Sequence, residues 1–266
     1  MIMTSCTLEQ RLARTYVGLN DPGEFYLLKP SYLFKFNLKE FEISGIDTLS
    51  EFKKDSLLLE NSLLLKNITD SVFIDAFTNG LESKLKSFGA NIIKEDDTDT
   101  LLNNGGTPYI LNVAQISLEE YIHPYRSEEE IYDEIIVIDG IDLNAINYNV
   151  WIELGILNTE TKNKVLFISD YLFDNLNGTL KQNLLTGKLS FDYTIDTINT
   201  EQVYQSARQF GDATAGYLFD YLMNAYIGEN LPEDYRYERV YYHFDSERRI
   251  LYPADEEQMM MELESY

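Results

Sequence analysis

The chain has 266 residues, of which 44% are hydrophobic, so it can bury a sizeable core and wholesale disorder is excluded. No apolar run approaches the ~18 residues of a membrane-spanning helix. Lys and Arg number 21 against 45 Asp and Glu, a formal charge of −24, which opposes binding to a phosphate backbone or to anionic headgroups. A single cysteine excludes an internal disulfide framework and a Cys-cluster zinc site.

The chain opens Met1-Ile2-Met3-Thr4-Ser5-Cys6. An apolar residue, two small residues and a cysteine resemble the lipobox of bacterial lipoproteins, in which the cysteine becomes the acylated first residue of the mature protein. That resemblance implies a lipid anchor on Cys6. Five residues are too few for a secretory leader, which needs a charged start and an apolar stretch of about 7–15 residues. An apolar leader is therefore expected upstream of Met1, the sequence being truncated or started late. The alternative is an ordinary free thiol in a cytosolic protein.

Residues 7–23 read as a tether that ends in the turn signal Asn20-Asp21-Pro22-Gly23. Phe25–Leu28 is a short strand closed by Pro30, and Tyr32–Leu38 is a second extended segment. Thr69 or Asp70 opens a helix that Gly89 closes. Phe73, Phe77, Leu81, Leu85 and Phe88 share one face of it. Asn91–Ile93 begins a strand. A Gly-rich acidic loop then leads to strand formers at Tyr109–Tyr121, an acidic insert at Ser127–Glu134, a strand at Ile135–Ile138 and a turn at Asp139-Gly140.

Strict alternation over Ile141–Leu157 places Tyr148, Val150, Ile152 and Leu154 on one face and Asn147, Asn149, Trp151 and Glu153 on the other. Val165–Ser169 returns as its antiparallel partner. Residues 170–198 are Asn- and Gly-rich and irregular, with either a short helix or a hairpin within them. Asn199 and Gln202 form a capping arrangement for a long helix stopped by Gly228, slim at Gly211, Ala213, Ala215 and Gly216 so that another element can approach closely. Arg239–Phe244 and Arg248–Tyr252 form a hairpin, and Asp255–Tyr266 a short acidic helix. The expected fold is α+β: a mainly antiparallel, mixed sheet with two long helices packed on one face, as a two-layer sandwich. Its divisions are 1–23, lipobox remnant and tether; 24–230, one domain; and 231–266, a C-terminal hairpin and acidic tail.

Chemistry-bearing patterns are few. The sequence holds no phosphate loop, no dinucleotide fingerprint and no nucleophile elbow. Its two histidines, His123 and His243, lack ligand spacing, so no metal and no cofactor is expected. Among the many acids, Asp139, Asp142 and Glu153 are the best candidates for a glycosidase-like carboxylate pair, and Asp96, Asp97 and Asp99 for a calcium loop. Solvated acids are the simpler reading of both.

Asp followed by Ser or Thr and an apolar residue recurs at Thr48, Ser56, Ser71, Thr100 and Thr197. This triplet resembles the O-glycosylation acceptor of exported Bacteroidetes proteins. Further stretches resemble uncharacterised cell-envelope lipoproteins of the Bacteroidetes: Asp70-Ser71-Val72-Phe73, Phe88-Gly89, Asp142-Leu143-Asn144-Ala145, Trp151-Ile152-Glu153-Leu154 and the segment from Gly216 to Asn224. The order of elements is also similar to small periplasmic auxiliary lipoproteins. The resemblance implies a non-enzymatic lipoprotein, anchored through Cys6, that binds or supports an envelope protein in the periplasm or at the outer membrane. No nucleic-acid partner is expected. The alternative, motivated by 20 tyrosines and the surplus of acids, is a glycan-binding or glycan-cleaving envelope protein.

Overall fold

The computed structural model describes residues 7–39, 49–94, 108–131, 134–157, 159, 162–182, 189–234, 240–254 and 261–263. They form a mixed α/β structure around one large sheet of seven strands, in the order β11-β6-β5-β4-β1-β3, with β2 also paired to β4. In chain order the elements are α1 (Leu8–Leu19), β1 (Glu24–Leu28), β2 (Phe34–Asn37), α2 (Glu51–Glu60), α3 (Asp70–Ser87), β3 (Asn91–Ile93), β4 (Tyr109–Ile131), β5 (Glu134–Ile156), β6 (Lys164–Phe173), β7 (Asn175–Gln182), β8 (Leu189–Asp196), α4 (Thr200–Asn230), β9 (Tyr241–Asp245), β10 (Ile250–Ala254) and β11 (Met261–Leu263).

The sheet is parallel where β1 pairs with β3 and β4 and where β2 pairs with β4, and antiparallel through β4, β5, β6 and β11. β1 and β2 lie end to end along β4, opposite Tyr109–Asn112 and Ser117–Glu120. Their interruption falls beside the register shift at Ala114, where β4 bulges against β5.

The expected alternation of β5 holds: Tyr148, Val150 and Ile152 are completely buried, with Leu154 close behind. They share one core with Leu111, Ile116 and Leu118 of β4, with Phe73, Phe77, Leu81 and Leu85 of α3, and with Val203, Ala207, Phe210 and Leu218 of α4. α3 runs where the sequence places it, with Gly89 at φ +93° just beyond its end. α4 begins with the expected capping box, in which Asn199 and Gln202 satisfy each other's backbone amides.

Several expectations are corrected. Residues 8–19 are a docked helix and not a tether. Thr7 accepts from the Gln10 amide at its start, Asn20 adopts the left-handed conformation at its end, and Leu8, Leu12, Ala13, Tyr16 and Val17 pack against α4 and β9. The helical spacing of those five residues was present in the sequence but masked by the neighbouring turn signal. Ser127–Glu134 is no insert: β4 continues as a strand through Pro124 to Ile131, paired with β5. Asp139-Gly140 does not turn the chain, because Gly140, at φ +75°, forms a bulge opposite Arg126.

Residues 170–173 extend β6, and of the two alternatives within 170–198 the hairpin is the one found, as β7 and β8, a separate two-stranded sheet. Gly228 does not stop α4. Ile227 and Leu231 are buried on either side of it, and Pro232 instead forces Leu231 into an extended conformation that ends the helix. Within the expected acidic C-terminal helix, residues 261–263 are strand β11, held to β6 by pairing and by Glu262, which binds Lys164 and accepts from the Tyr221 hydroxyl.

Candidate functional site

Strand alternation sends every second side chain of β4, β5 and β6 away from the helices. Cross-strand register groups these side chains into rows. One row is Gln115, Trp151, Phe167 and Met261; the next is Phe34, Ser117, Asn149 and Ser169; then come Phe36, Glu119, Asn147 and Tyr171, and Tyr121, Ala145 and Phe173. Rings flank a polar middle. Trp151 and Phe167 lie 5.0 Å apart between centroids, and Phe173 stacks with Tyr171 at 5.8 Å and with His123 at 5.2 Å.

In the polar middle, Asn147 Nδ2 donates to Glu119 Oε2 and to Asn149 Oδ1. Ser117 and Asn149 are only 2% and 7% exposed. Yet the Ser117 hydroxyl and the Asn149 Nδ2 have no protein partner, and both still reach solvent. Burial, with Tyr171 and Glu119 alongside, holds the Tyr121 phenol above its ordinary pKa, so it remains a neutral hydroxyl on this face.

A second feature is the distal part of the β4–β5 hairpin. β6 pairs with β5 only as far as Ala145, and β2 with β4 only as far as Glu120. Beyond those points Ile122–Ile131 and Glu134–Leu143 pair with each other and, among the described residues, with no third strand, projecting as a two-stranded arm. Its base is braced by the β7–β8 hairpin, whose Leu176, Leu180 and Phe191 pack on Ile138, Ile141 and Leu143. A cavity of about 330 Å³ lies between the Gly140 bulge and this brace.

A third feature joins α4 to the β9–β10 hairpin. Asn224 donates to the Tyr242 carbonyl and accepts from its amide, each across 2.8–2.9 Å, and Asp220 accepts the Phe244 amide at 2.9 Å. Two side chains one helical turn apart thus replace a neighbouring strand. Asp220, 1% exposed, also lies 2.5 Å from His243 Nδ1. Burial raises the Asp220 pKa against the opposing pull of His243 and the Phe244 amide. The hydrogen bond to Asp220 raises that of His243. A groove of about 290 Å³ beside His243 is lined by Lys84, Asp212, Gly216, Tyr217 and Ser246. The Asp220–His243 pair thus clips the hairpin to the helix.

Of the residues singled out from sequence, Cys6, Thr48 and Thr100, with Asp96, Asp97 and Asp99, lie outside the described residues. Ser56 on α2, Ser71 in the first turn of α3 and Thr197 before α4 are exposed and belong to separate elements. Asp142 and Glu153 are eleven residues apart along one strand, roughly 35 Å at ~3.3 Å per residue. Glycosidase carboxylates stand about 5–9.5 Å apart, so these two do not form such a pair. Among the described residues no group of three or more His, Cys, Asp or Glu is placed to hold a metal ion, and no helix is long and apolar enough to cross a membrane.

Sequence reasoning missed the Asp220–His243 clip, whose members are 23 residues apart on a helix and a strand. It also missed the Ser117–Asn149 pair, since register between β4 and β5 is not written in either strand alone. No protein-family model matches the chain, and no curated protein is significantly similar to it.

Proposed function

We propose that this chain is a non-enzymatic cell-envelope lipoprotein, anchored through Cys6, that binds or supports a partner protein. The projecting arm is the observation that carries the reading. A two-stranded ribbon that outruns its sheet leaves backbone edges unpaired and is marginal by itself, which costs stability unless something uses it. The chain provides a brace at its base. The sequence of the arm tip, Glu128, Glu129 and Glu130, adds to an already acidic protein and favours a partner with a basic surface. The short link between Cys6 and α1, which starts at Leu8, suits a protein held close to its membrane.

The finer architecture belongs to the same proposal. α3 and α4 form the second layer of a two-layer sandwich, leaving the other sheet face and the arm accessible. Residues Ser56, Ser71 and Thr197, exposed as acceptors must be, are the described members of the proposed O-glycosylation set, with Thr48 and Thr100 completing it.

The test combines acylation with cross-linking. Labelled palmitate is expected on Cys6 in a Bacteroidetes host. A photo-cross-linking residue at Glu128 is expected to capture one protein that the same residue at Ser71 does not. Once purified, that protein should bind the intact chain in a salt-sensitive manner. It should not bind a variant in which residues 126–140 are replaced by Asn-Gly, which joins the cross-strand partners Tyr125 and Ile141 directly. Unlabelled Cys6 overturns the anchor, and identical capture from both positions overturns the arm.

A further inference from the structure

We infer that the face of the sheet turned away from α3 and α4, around Ser117, Asn149 and Trp151, is a binding site for a neutral glycan. This assignment is independent of the arm and of Cys6. Ser117 and Asn149 sit directly opposite each other on β4 and β5, nearly buried, with a hydroxyl and an amide nitrogen that no protein group satisfies. Neither group is committed to a protein partner and both still reach solvent, so a ligand that replaces their water meets a hydroxyl and an amide already held in place. The hydroxyl donates or accepts and the amide donates, a set that matches a vicinal diol.

The surroundings fit the rest of a sugar. Trp151 is the next outward residue on β5, tilted at 50° to Phe167, and Phe34 lies across from Ser117 on β2. Aromatic carbon surface beside hydrogen-bonding groups is what a pyranose needs, since its axial C–H faces are apolar and its rim is hydroxylated. Charge then narrows the class. Of the outward side chains at alternate positions from Gln115 to His123, Leu143 to Trp151 and Phe167 to Phe173, only Glu119 is formally charged, in a chain that is 25% charged. A carboxylated or sulfated chain would meet Glu119 and no cation, whereas a neutral one meets a compatible surface. A dry protein interface would bury the Ser117 and Asn149 groups unpaired unless it supplied matching polar atoms.

The protein contains one tryptophan, Trp151, so tryptophan emission of the full chain, excited beyond the absorption of its 20 tyrosines, reports on this face. It is titrated with neutral hexasaccharides, namely β1→4-linked glucose, β1→3-linked glucose and α-linked mannose, and with oligogalacturonate as the charged control. A saturable change in Trp151 emission is expected with at least one neutral hexasaccharide and none with oligogalacturonate. Asn149→Ala and the less buried Gln115→Ala should each weaken binding about tenfold, the loss of a hydrogen bond or two. Melting curves identify any variant that merely unfolds, and the Gln115 variant keeps the test decisive in that case. The chain with the arm replaced by Asn-Gly should bind the sugar as the intact chain does, which separates this site from the partner-protein reading. Unchanged emission with every neutral sugar overturns the assignment. So does equal binding of oligogalacturonate, or a concentration-dependent self-association that Asn149→Ala abolishes, which would make the face a protein interface.

Discussion

Gly80 of α3 and Gly211 of α4 bring two helix backbones into contact. A β-carbon on Gly80 would lie 2.1 Å from the Arg208 carbonyl oxygen, and one on Gly211 would lie 2.0 Å from that of Phe77. Neither neighbour is a flexible side chain, so the helices would have to move apart, opening the core that Phe77 and Phe210 fill with rings 5.6 Å apart.

Gly211→Ala is therefore expected to destabilise the protein by about 2–3 kcal/mol despite alanine's better helix propensity. Gly216→Ala, five residues on in the same helix, should do the opposite. Nothing lies within 4 Å of its would-be β-carbon, so only the helix-propensity gain of about 0.5–1 kcal/mol remains. Chemical denaturation of the two variants checks the contrast. Equal effects of the same sign would mean that the helices do not meet as described.

Glu120 organises the opposite end of the sheet. It is fully buried and binds Lys39 Nζ at 2.6 Å, and it accepts the amides of Leu63, Leu64 and Leu65. Lys39 also donates to Asn144, whose own amide groups are held by Asp174, which in turn accepts the Ile198 amide. One network thus fastens β2, the segment before α3, β5 and the approach to α4. Burial alone would raise the Glu120 pKa, but Lys39 and the three amides outweigh it and hold it below the ordinary glutamate value. Glu120→Ala leaves Lys39 and three amides without their acceptor and should cost about 3–5 kcal/mol. Because the folded pKa is depressed, the contribution of Glu120 is complete above the unfolded-state pKa near 4.5 and is lost as pH falls through the folded value. Acid titration of stability should therefore be steeper for the native chain than for Glu120→Gln.

The parts of this fold legible in the sequence are those governed by local pattern. The apolar spacing of α3, the alternation of β5, and the cap formed by Asn199 and Gln202 each lie within one element, and each was found where expected. So was the slim middle of α4, although only the structure shows that Gly211 meets α3 while Gly216 faces open space. Three readings failed where tertiary context overrides local signals. Ser127–Ile131 continue β4 where an insert was expected, Gly140 makes a bulge where a turn was expected, and Gly228 lies within a helix closed by Pro232. The candidate sites were least legible. Ser117 meets Asn149, and Asp220 meets His243, only through register and packing between elements, which no periodicity within either segment encodes.

The clip between Asp220 and His243 makes docking of the β9–β10 hairpin sensitive to pH. The hydrogen bond to Asp220 raises the His243 pKa above the ordinary 6.5, with Asp245 adding to the effect and burial opposing it. A histidine whose folded pKa is raised contributes stability that is complete below its unfolded pKa and lost as pH rises through the folded value. The loss therefore begins above about pH 6.5 and falls on the hairpin, since Asp220 also holds the Phe244 amide. Asn224 does not titrate and keeps its two bonds to Tyr242, so the hairpin should loosen at its His243 end and remain pinned at Tyr242. An NMR titration of the two histidine rings should place the His243 midpoint above 6.5, and Asp220→Asn should bring it down. Hydrogen exchange at the Phe244 amide should accelerate between neutral and mildly alkaline pH beyond the intrinsic rate, while that at Tyr242 follows the intrinsic rate. A His243 midpoint at or below 6.5 in the native chain, or equal acceleration at both amides, would show that the ring and the carboxylate are not coupled in this way.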